Sequence, residues 1–186
     1  MELFWNILES SWGDILIVAD HKGIVRITLP GESSSKNLNS LCKNRETILT
    51  HRNTTSIAQA KKQIMEYLNG KRSSFHLELN PQGTDFQKKV WNALRRIPYG
   101  QTKCYQEIAR AVGSPKGMRA VGMANNKNPL PIVIPCHRVI GKDGSMVGYA
   151  GGLSLKKKLL KLESEKASSL KSSKSDSTRL SAHATI

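Results

Sequence analysis

Ile132-Val133-Ile134-Pro135-Cys136-His137-Arg138-Val139-Ile140 is the stretch on which the reading of this 186-residue chain turns. β-Branched runs on both sides predict buried, extended backbone entering and leaving, with the Pro-Cys-His-Arg turn held between two rigid pieces. Pro135 has no N–H for a ladder and a fixed φ, so the entering strand should stop there and leave Cys136 at its end. Taken alone, a buried cysteine reads as a small core hydrophobe. Its neighbours point to a nucleophile instead. His137 can accept the thiol proton, directly or through a water, and Arg138 adds positive potential that favours thiolate; a thiol of pKa about 8.5 is otherwise only slightly ionised at neutral pH. Glu163 is the candidate to orient the imidazole. It lies on a predicted helix, 154–165, with Leu155, Leu159, Leu160 and Leu162 on its apolar side, and on its own reads more often as a solvated helix residue.

Upstream of this stretch the signals are helical. After the boundary at Pro81-Gln82-Gly83, Thr84 or Asp85 can cap a helix with Phe86, Val90, Trp91 and Leu94 on one face, ended by Ile97-Pro98-Tyr99-Gly100. A second helix is expected from about Lys103 to Val112, closed by Gly113. Ser114-Pro115 then supplies an N-cap and first-turn proline for a third, through about Asn125. Two short helices joined by a tight turn form a helix-turn-helix pattern, which is weak evidence for DNA binding when taken alone.

The N-terminal third reads as a small antiparallel sheet: runs at Phe4–Leu8, Ile15–Ala19 and Ile24–Leu29 are separated by turn-forming clusters. Residues 30–55 are polar and aperiodic, so a loop with at most a short helix is expected. A helix over 56–69 and a strand at Phe75–Leu79 complete the unit, which shows no chemical constellation; His21, His51 and His76 are isolated. The fold class is therefore α+β, with an N-terminal α/β domain at 1–80 and a mainly helical domain at 83–166. From Ala167 the composition falls to Ser, Lys, Ala and Thr, which predicts a disordered basic tail at 167–186.

Net charge is +15, and its distribution is uneven. Residues 1–82 hold 10 Lys/Arg against 8 Asp/Glu, residues 83–166 hold 16 against 5, and residues 167–186 hold 3 against 1. A basic domain built around a reactive thiol points to a polyanionic substrate. Three cysteines without metal-ligand spacing suggest neither a disulfide framework nor a zinc site, and with no secretory or membrane-spanning signal a cytoplasmic protein is expected.

The run from Asn128 through Ile140, followed by Gly148-Tyr149-Ala150-Gly151-Gly152-Leu153, resembles the active-site signature of the O6-alkylguanine-DNA alkyltransferases, the methylated-DNA–protein-cysteine S-methyltransferases. The match extends from about Gly83 to Glu163. The resemblance implies a ribonuclease H-like N-terminal domain and DNA repair by direct damage reversal. Its substrate is double-stranded DNA carrying O6-alkylguanine, with O4-alkylthymine as an alternative lesion, bound through the minor groove by a monomer. The alkyl group passes to Cys136 stoichiometrically and irreversibly after base flipping, in a single-turnover suicide reaction without cofactor. In nucleated cells such a protein would be nuclear.

The resemblance also implies roles for individual residues. His137 acts through water as base and Glu163 orients it. Tyr105 serves backbone rotation and donates to the flipped purine, while Arg119 fills the gap left by the base, with Ala120 and Gly122 permitting close approach. Asn128 bridges the helix-turn-helix and the Pro135-Cys136 loop, and Arg138 gives structural support. Val139, Tyr149, Ala150 and Gly151 wall the base pocket. Two departures stand out: Cys104 precedes Tyr105 where a hydroxyl residue is usual, and Ala150 stands where some members have serine. Rival readings are a non-catalytic lesion binder, disfavoured by Cys136 itself, and a Cys-His hydrolase, for which adjacent Cys and His are unusual. A fused transcriptional activator would require a cysteine-rich domain that is not present.

Overall fold

The computed structural model describes residues 1–42 and 46–180. Three strands, β1 (Glu2–Leu8), β2 (Ile15–Asp20) and β3 (Gly23–Ile27), pair antiparallel as the alternation predicts. Helix α1 (Ser34–Leu41) leads to a fourth strand, β4 (Ile48–His51), which pairs parallel to β1 and gives the order β3-β2-β1-β4. The aperiodic segment was expected to hold no strand. Strand β4 is a short edge with no fully buried residue, so it carries no alternation to read.

Strand β2 lies inside the sheet and is covered on both faces. Ile15, Ile17 and Ala19 join the main core beneath α2 (Thr55–Leu68), whereas Leu16 and Val18 join a smaller cluster with Leu38 and Leu41 of α1. The expected strand at Phe75–Leu79 is reduced to a single bridge between Ile24 and Leu79. The buried Gln63 amide takes the place of a ladder there: it donates to His76 O at 2.9 Å and accepts from His76 N at 2.8 Å. Gly23 (φ 147°) is required where this segment crosses, because a Cβ would lie 2.5 Å from Glu78 O.

Helix α3 (Asp85–Arg95) begins with a capping box: Thr84 Oγ1 accepts from Gln87 N, and Gln87 Oε1 accepts from Thr84 N. A two-residue strand, β5 (Lys103–Cys104), precedes α4 (Tyr105–Ala111), so the second helix starts two residues later than expected. Gly113 (φ 75°) closes it, with Ser114 N donating to Ala109 O. The third helix, α5 (Met118–Asn126), does not start at Ser114-Pro115 as expected. Gly117 N donates to Ser114 O, and this turn uses up the proposed cap. The Trp91 indole N–H donates to Ala124 O at 2.9 Å and fixes α3 against α5.

Strand β6 (Val139–Ile140) pairs parallel to β5, and the last helix, α6, spans Gly152–Leu180. Residues 167–180 are thus helical where composition predicted a structureless tail, since extending an existing helix costs far less than starting one. Residues 181–186 lie outside the described residues. One continuous core contains Ile57, Ile64 and Tyr67 of α2 together with Val90, Trp91 and Leu94 of α3 and Leu159 of α6. Among the described residues no helix is long and apolar enough to cross a membrane.

Thr84→Ala removes one half of the capping box and leaves the Gln87 amide N–H unpaired. The substitution should lower stability by about 1 kcal/mol, read as a shifted urea midpoint with an unchanged slope.

Candidate active site

The run entering Pro135 is not a strand. Ile134 N donates to Leu130 O at 2.8 Å, Ile132 adopts a positive φ of 72°, and the chain turns on itself. Asn128 holds this turn from both sides: its Nδ2 donates to Ile134 O at 2.8 Å and its Oδ1 accepts from Leu130 N at 3.0 Å. A side chain that satisfies backbone groups at both ends of a five-residue turn outweighs the β preference of Ile132, Val133 and Ile134. Cys136–Arg138 then form a single 3-10 turn before β6.

This turn places Cys136, His137 and Arg138 in the interior, and each meets different neighbours. His137 Nε2 lies 2.8 Å from Glu163 Oε1. Arg138 clamps the same carboxylate, Nε to Oε2 at 2.9 Å and Nη2 to Oε1 at 3.0 Å, and its Nη1 donates to Ile97 O at 2.6 Å. Gly100 N donates to Glu163 Oε2 at 3.0 Å, and the Tyr67 hydroxyl donates to Oε1 at 2.6 Å. Burial pushes the Glu163 carboxyl up, yet the hydrogen bonds from His137 and Arg138 prevail and hold it at about 2. Burial lowers the His137 pKa against the pull of Glu163, so the imidazole is neutral and Nε2 carries the proton toward the carboxylate. Among the described residues the buried Nδ1 has no hydrogen-bond partner.

The thiol environment differs from the sequence expectation. Burial raises the Cys136 pKa; the polar groups of Asn128 and Tyr149 and the charge of Lys156 oppose it. Arg138, expected to supply that charge, is committed to Glu163 and Ile97. Lys156 is fully buried on α6, with Nζ donating to Val139 O at 2.6 Å and Val147 O at 2.9 Å. The carbonyl of Val139, a residue expected in the wall of the base pocket, is thus already bonded.

A groove of about 590 Å³ is lined by Tyr105, Met118, Arg119, Gly122, Val147 and Tyr149, and of these Tyr105 and Tyr149 lie near the thiol. Tyr105 is half-buried at the first turn of α4, its hydroxyl pKa raised by burial and by the proximity of Cys136. Arg119 is exposed on α5, and Gly122 faces the Tyr105 ring. Ala120 does not line this groove. Ala150 lines a separate cavity with Asn128, and Gly151 packs where a Cβ would strike Leu29 and Leu155. Cys104 caps α4, half-exposed, with its backbone N–H on Glu107. No cluster of three or more metal-ligating side chains occurs among the described residues.

Sequence reasoning passed over Tyr67 and Lys156. Tyr67 corrects the statement that the N-terminal third holds no chemistry. It follows Ile64 by three positions on the buried face of α2, a spacing that could have flagged it. Lys156, Leu159 and Glu163 likewise share one face of α6 at i, i+3, i+7, so a lysine in an apolar row was the available signal.

Residues 3–81 match the family described as "6-O-methylguanine DNA methyltransferase, ribonuclease-like domain", and residues 85–165 match its "DNA binding domain". The chain is 45% identical to a methylated-DNA–protein-cysteine methyltransferase of Methanosarcina barkeri over 162 residues, covering 87% of this chain and 97% of the relative. It is 44% identical over 161 residues to the constitutive enzyme of that name from Bacillus subtilis, covering 86% and 94%. The crystal structure of Mycobacterium tuberculosis O6-methylguanine methyltransferase superimposes with a TM-score of 0.76 at 34% identity, covering 88% of this chain and 94% of that one. A structure of the mycobacterial protein in complex with DNA gives 0.73 at 35% identity, covering 89% and 94%. The fold and site define a DNA-repair enzyme that works by alkyl transfer. The chain belongs to the 6-O-methylguanine DNA methyltransferase family.

Lys156→Met keeps most of the stem's bulk and removes the cation beside the sulfur, so the Cys136 pKa should rise further. Alkylation of Cys136 by iodoacetamide at neutral pH, followed by peptide mapping, should slow about tenfold, because the thiolate is the reacting form.

Proposed function

We propose that this protein removes alkyl groups from O6 of guanine in duplex DNA by a single irreversible transfer to Cys136. The observation that carries this reading is the place of the thiol. It is buried next in the chain to His137, which is paired with Glu163, and it lies near Tyr105 and Tyr149, which with the exposed Arg119 wall a groove.

O6 of a stacked guanine is out of reach of a buried sulfur, so the nucleotide must rotate out of the helix, at a cost of a few kcal/mol that a damaged pair lessens. Arg119, exposed on α5, enters the duplex in place of the base. The small Gly122 and Ala120 keep α5 slender enough for the minor groove, where little sequence information is available; a lesion scanner needs little. The basic excess of residues 83–166 supplies attraction to phosphates that is independent of sequence.

In the groove, the Cys136 sulfur forms its bond to the alkyl carbon as the O6–carbon bond breaks, and that electron pair leaves with guanine. The thiol proton passes to His137 Nδ1 through a water, since Nε2 is committed to Glu163. Tyr105 donates a hydrogen bond to the purine and makes it a better leaving group. The product is a thioether with no carbonyl for water to attack, so each molecule reacts once. No cofactor enters the balance. A monomer acting wherever the cell keeps its DNA is sufficient.

Intact-mass analysis after incubation with excess duplex containing methylated guanine should show one added methyl per protein, mapped to Cys136. Binding without a mass change would leave a lesion binder, and a methyl on Cys104 would reassign the nucleophile. Arg119→Ala should slow repair of duplex DNA by at least tenfold more than reaction with the free alkylated base; equal slowing would remove Arg119 from the flipping step.

A further inference from the structure

We infer that Tyr67, from the N-terminal half of the chain, is a positioning residue that sets the basicity of His137 by sharing the Glu163 carboxylate with it. This rests on the reading of His137 as the base for Cys136.

Tyr67 is fully buried on α2, far in sequence from the thiol turn. Its hydroxyl donates to Glu163 Oε1 at 2.6 Å, the shorter of the contacts that Oε1 makes with Tyr67 and His137. The phenol oxygen also lies 3.3 Å from His137 Nε2. Because Nε2 points its proton at the carboxylate, the tyrosine cannot donate to it, and the phenol oxygen instead faces that N–H as a second acceptor. Burial and the neighbouring Glu163 keep the phenol protonated throughout the working pH range, so it is a permanent donor. Among the described residues, the charged and titratable groups that act on the imidazole are Glu163 and Lys156 from α6, Arg138 from its own turn and Tyr67 from α2, with Cys136 the group whose proton it receives in the proposed reaction.

Oε1 accepts from Tyr67, His137 and Arg138 at once, more donors than its two lone pairs serve well. Each donor draws charge from the oxygen and weakens the hold of the others. Tyr67 thus tempers the pull of Glu163 on the imidazole proton and keeps Nδ1 available as a neutral acceptor.

The test is the pH profile of single-turnover methyl transfer for Tyr67→Phe, which preserves the ring contacts with Phe75 and Tyr99. With one donor gone, Glu163 stabilises imidazolium more strongly, and the acid limb of the profile should move to higher pH. The rate should be about tenfold lower near pH 6 and should recover as pH rises. Replacing Tyr67 with 3-fluorotyrosine makes the phenol a stronger donor and should move the limb the opposite way, which keeps the test available if the phenylalanine variant misfolds. Profiles that coincide with wild type, or a uniform loss of rate without a shift, would overturn the inference. Direct titration of the His137 ring nitrogens by NMR separates the two claims. If Cys136 takes no methyl, the reading of the activity has failed, and the histidine titration in the two variants still decides the role of Tyr67.

Discussion

The Glu163 carboxylate is the constraint around which the rest is arranged. It has no exposure to solvent, and an unpaired ion in such a place would cost several kcal/mol. It is tolerated because its two oxygens accept from Tyr67, His137, Arg138 and the Gly100 backbone. These donors come from α2, the thiol turn and the loop after α3, while the acceptor is on α6. Each segment must be in register for the charge to be satisfied, so one buried ion specifies the mutual placement of four parts of the chain. Gly100 (φ 74°) is part of the same arrangement, since a Cβ there would lie 2.7 Å from the Ala167 Cβ and close to the Glu163 carbonyl.

The proposed chemistry follows from a balance that burial wins at both the thiol and the imidazole. Desolvation raises the thiol pKa despite Lys156, and it lowers that of the imidazole despite Glu163. The resting pair is therefore a neutral thiol and a neutral base rather than a standing thiolate and imidazolium. Such a site guards its sulfur against adventitious oxidation and electrophiles, because the thiolate is the reactive form. In the proposed mechanism, transfer of the proton accompanies the reaction. Lys156 contributes in two ways: its charge favours the thiolate, and its hydrogen bonds to Val139 and Val147 tie the thiol turn to the loop that carries Tyr149.

The groove beside the thiol follows from how α4 and α5 are terminated. Gly113 and the Ser114–Gly117 turn set α5 so that Val121 and Ala124 pack inward while Met118, Arg119 and Met123 remain exposed. Two exposed methionines and an arginine on one short helix are unusual on a plain protein surface, and they suit a face that meets a partner with both phosphates and stacked bases.

The sequence by itself determined the helices around the site, the caps at Thr84 and Gly113, three strands of the sheet and the thiol with its adjacent imidazole, because each is written in local periodicity, turn chemistry or residue type. It misread the run before Pro135. β-Branched residues predict a strand, and only the folded turn shows that Asn128, two residues before Leu130 and six before Ile134, bonds both ends of that run with one side chain. It likewise placed the positive charge on Arg138 by adjacency, whereas packing spends that guanidinium on Glu163 and brings Lys156 from a distant helix to the thiol. The role of Tyr67 was hidden for the same reason: its spacing on α2 marks it only as buried, and its chemistry depends on a contact across 96 positions of sequence. Local rules fix which segments form and which way their side chains face. Which buried charges and donors meet is decided by the whole fold, since only the assembled interior sets the cost of leaving one of them unpaired.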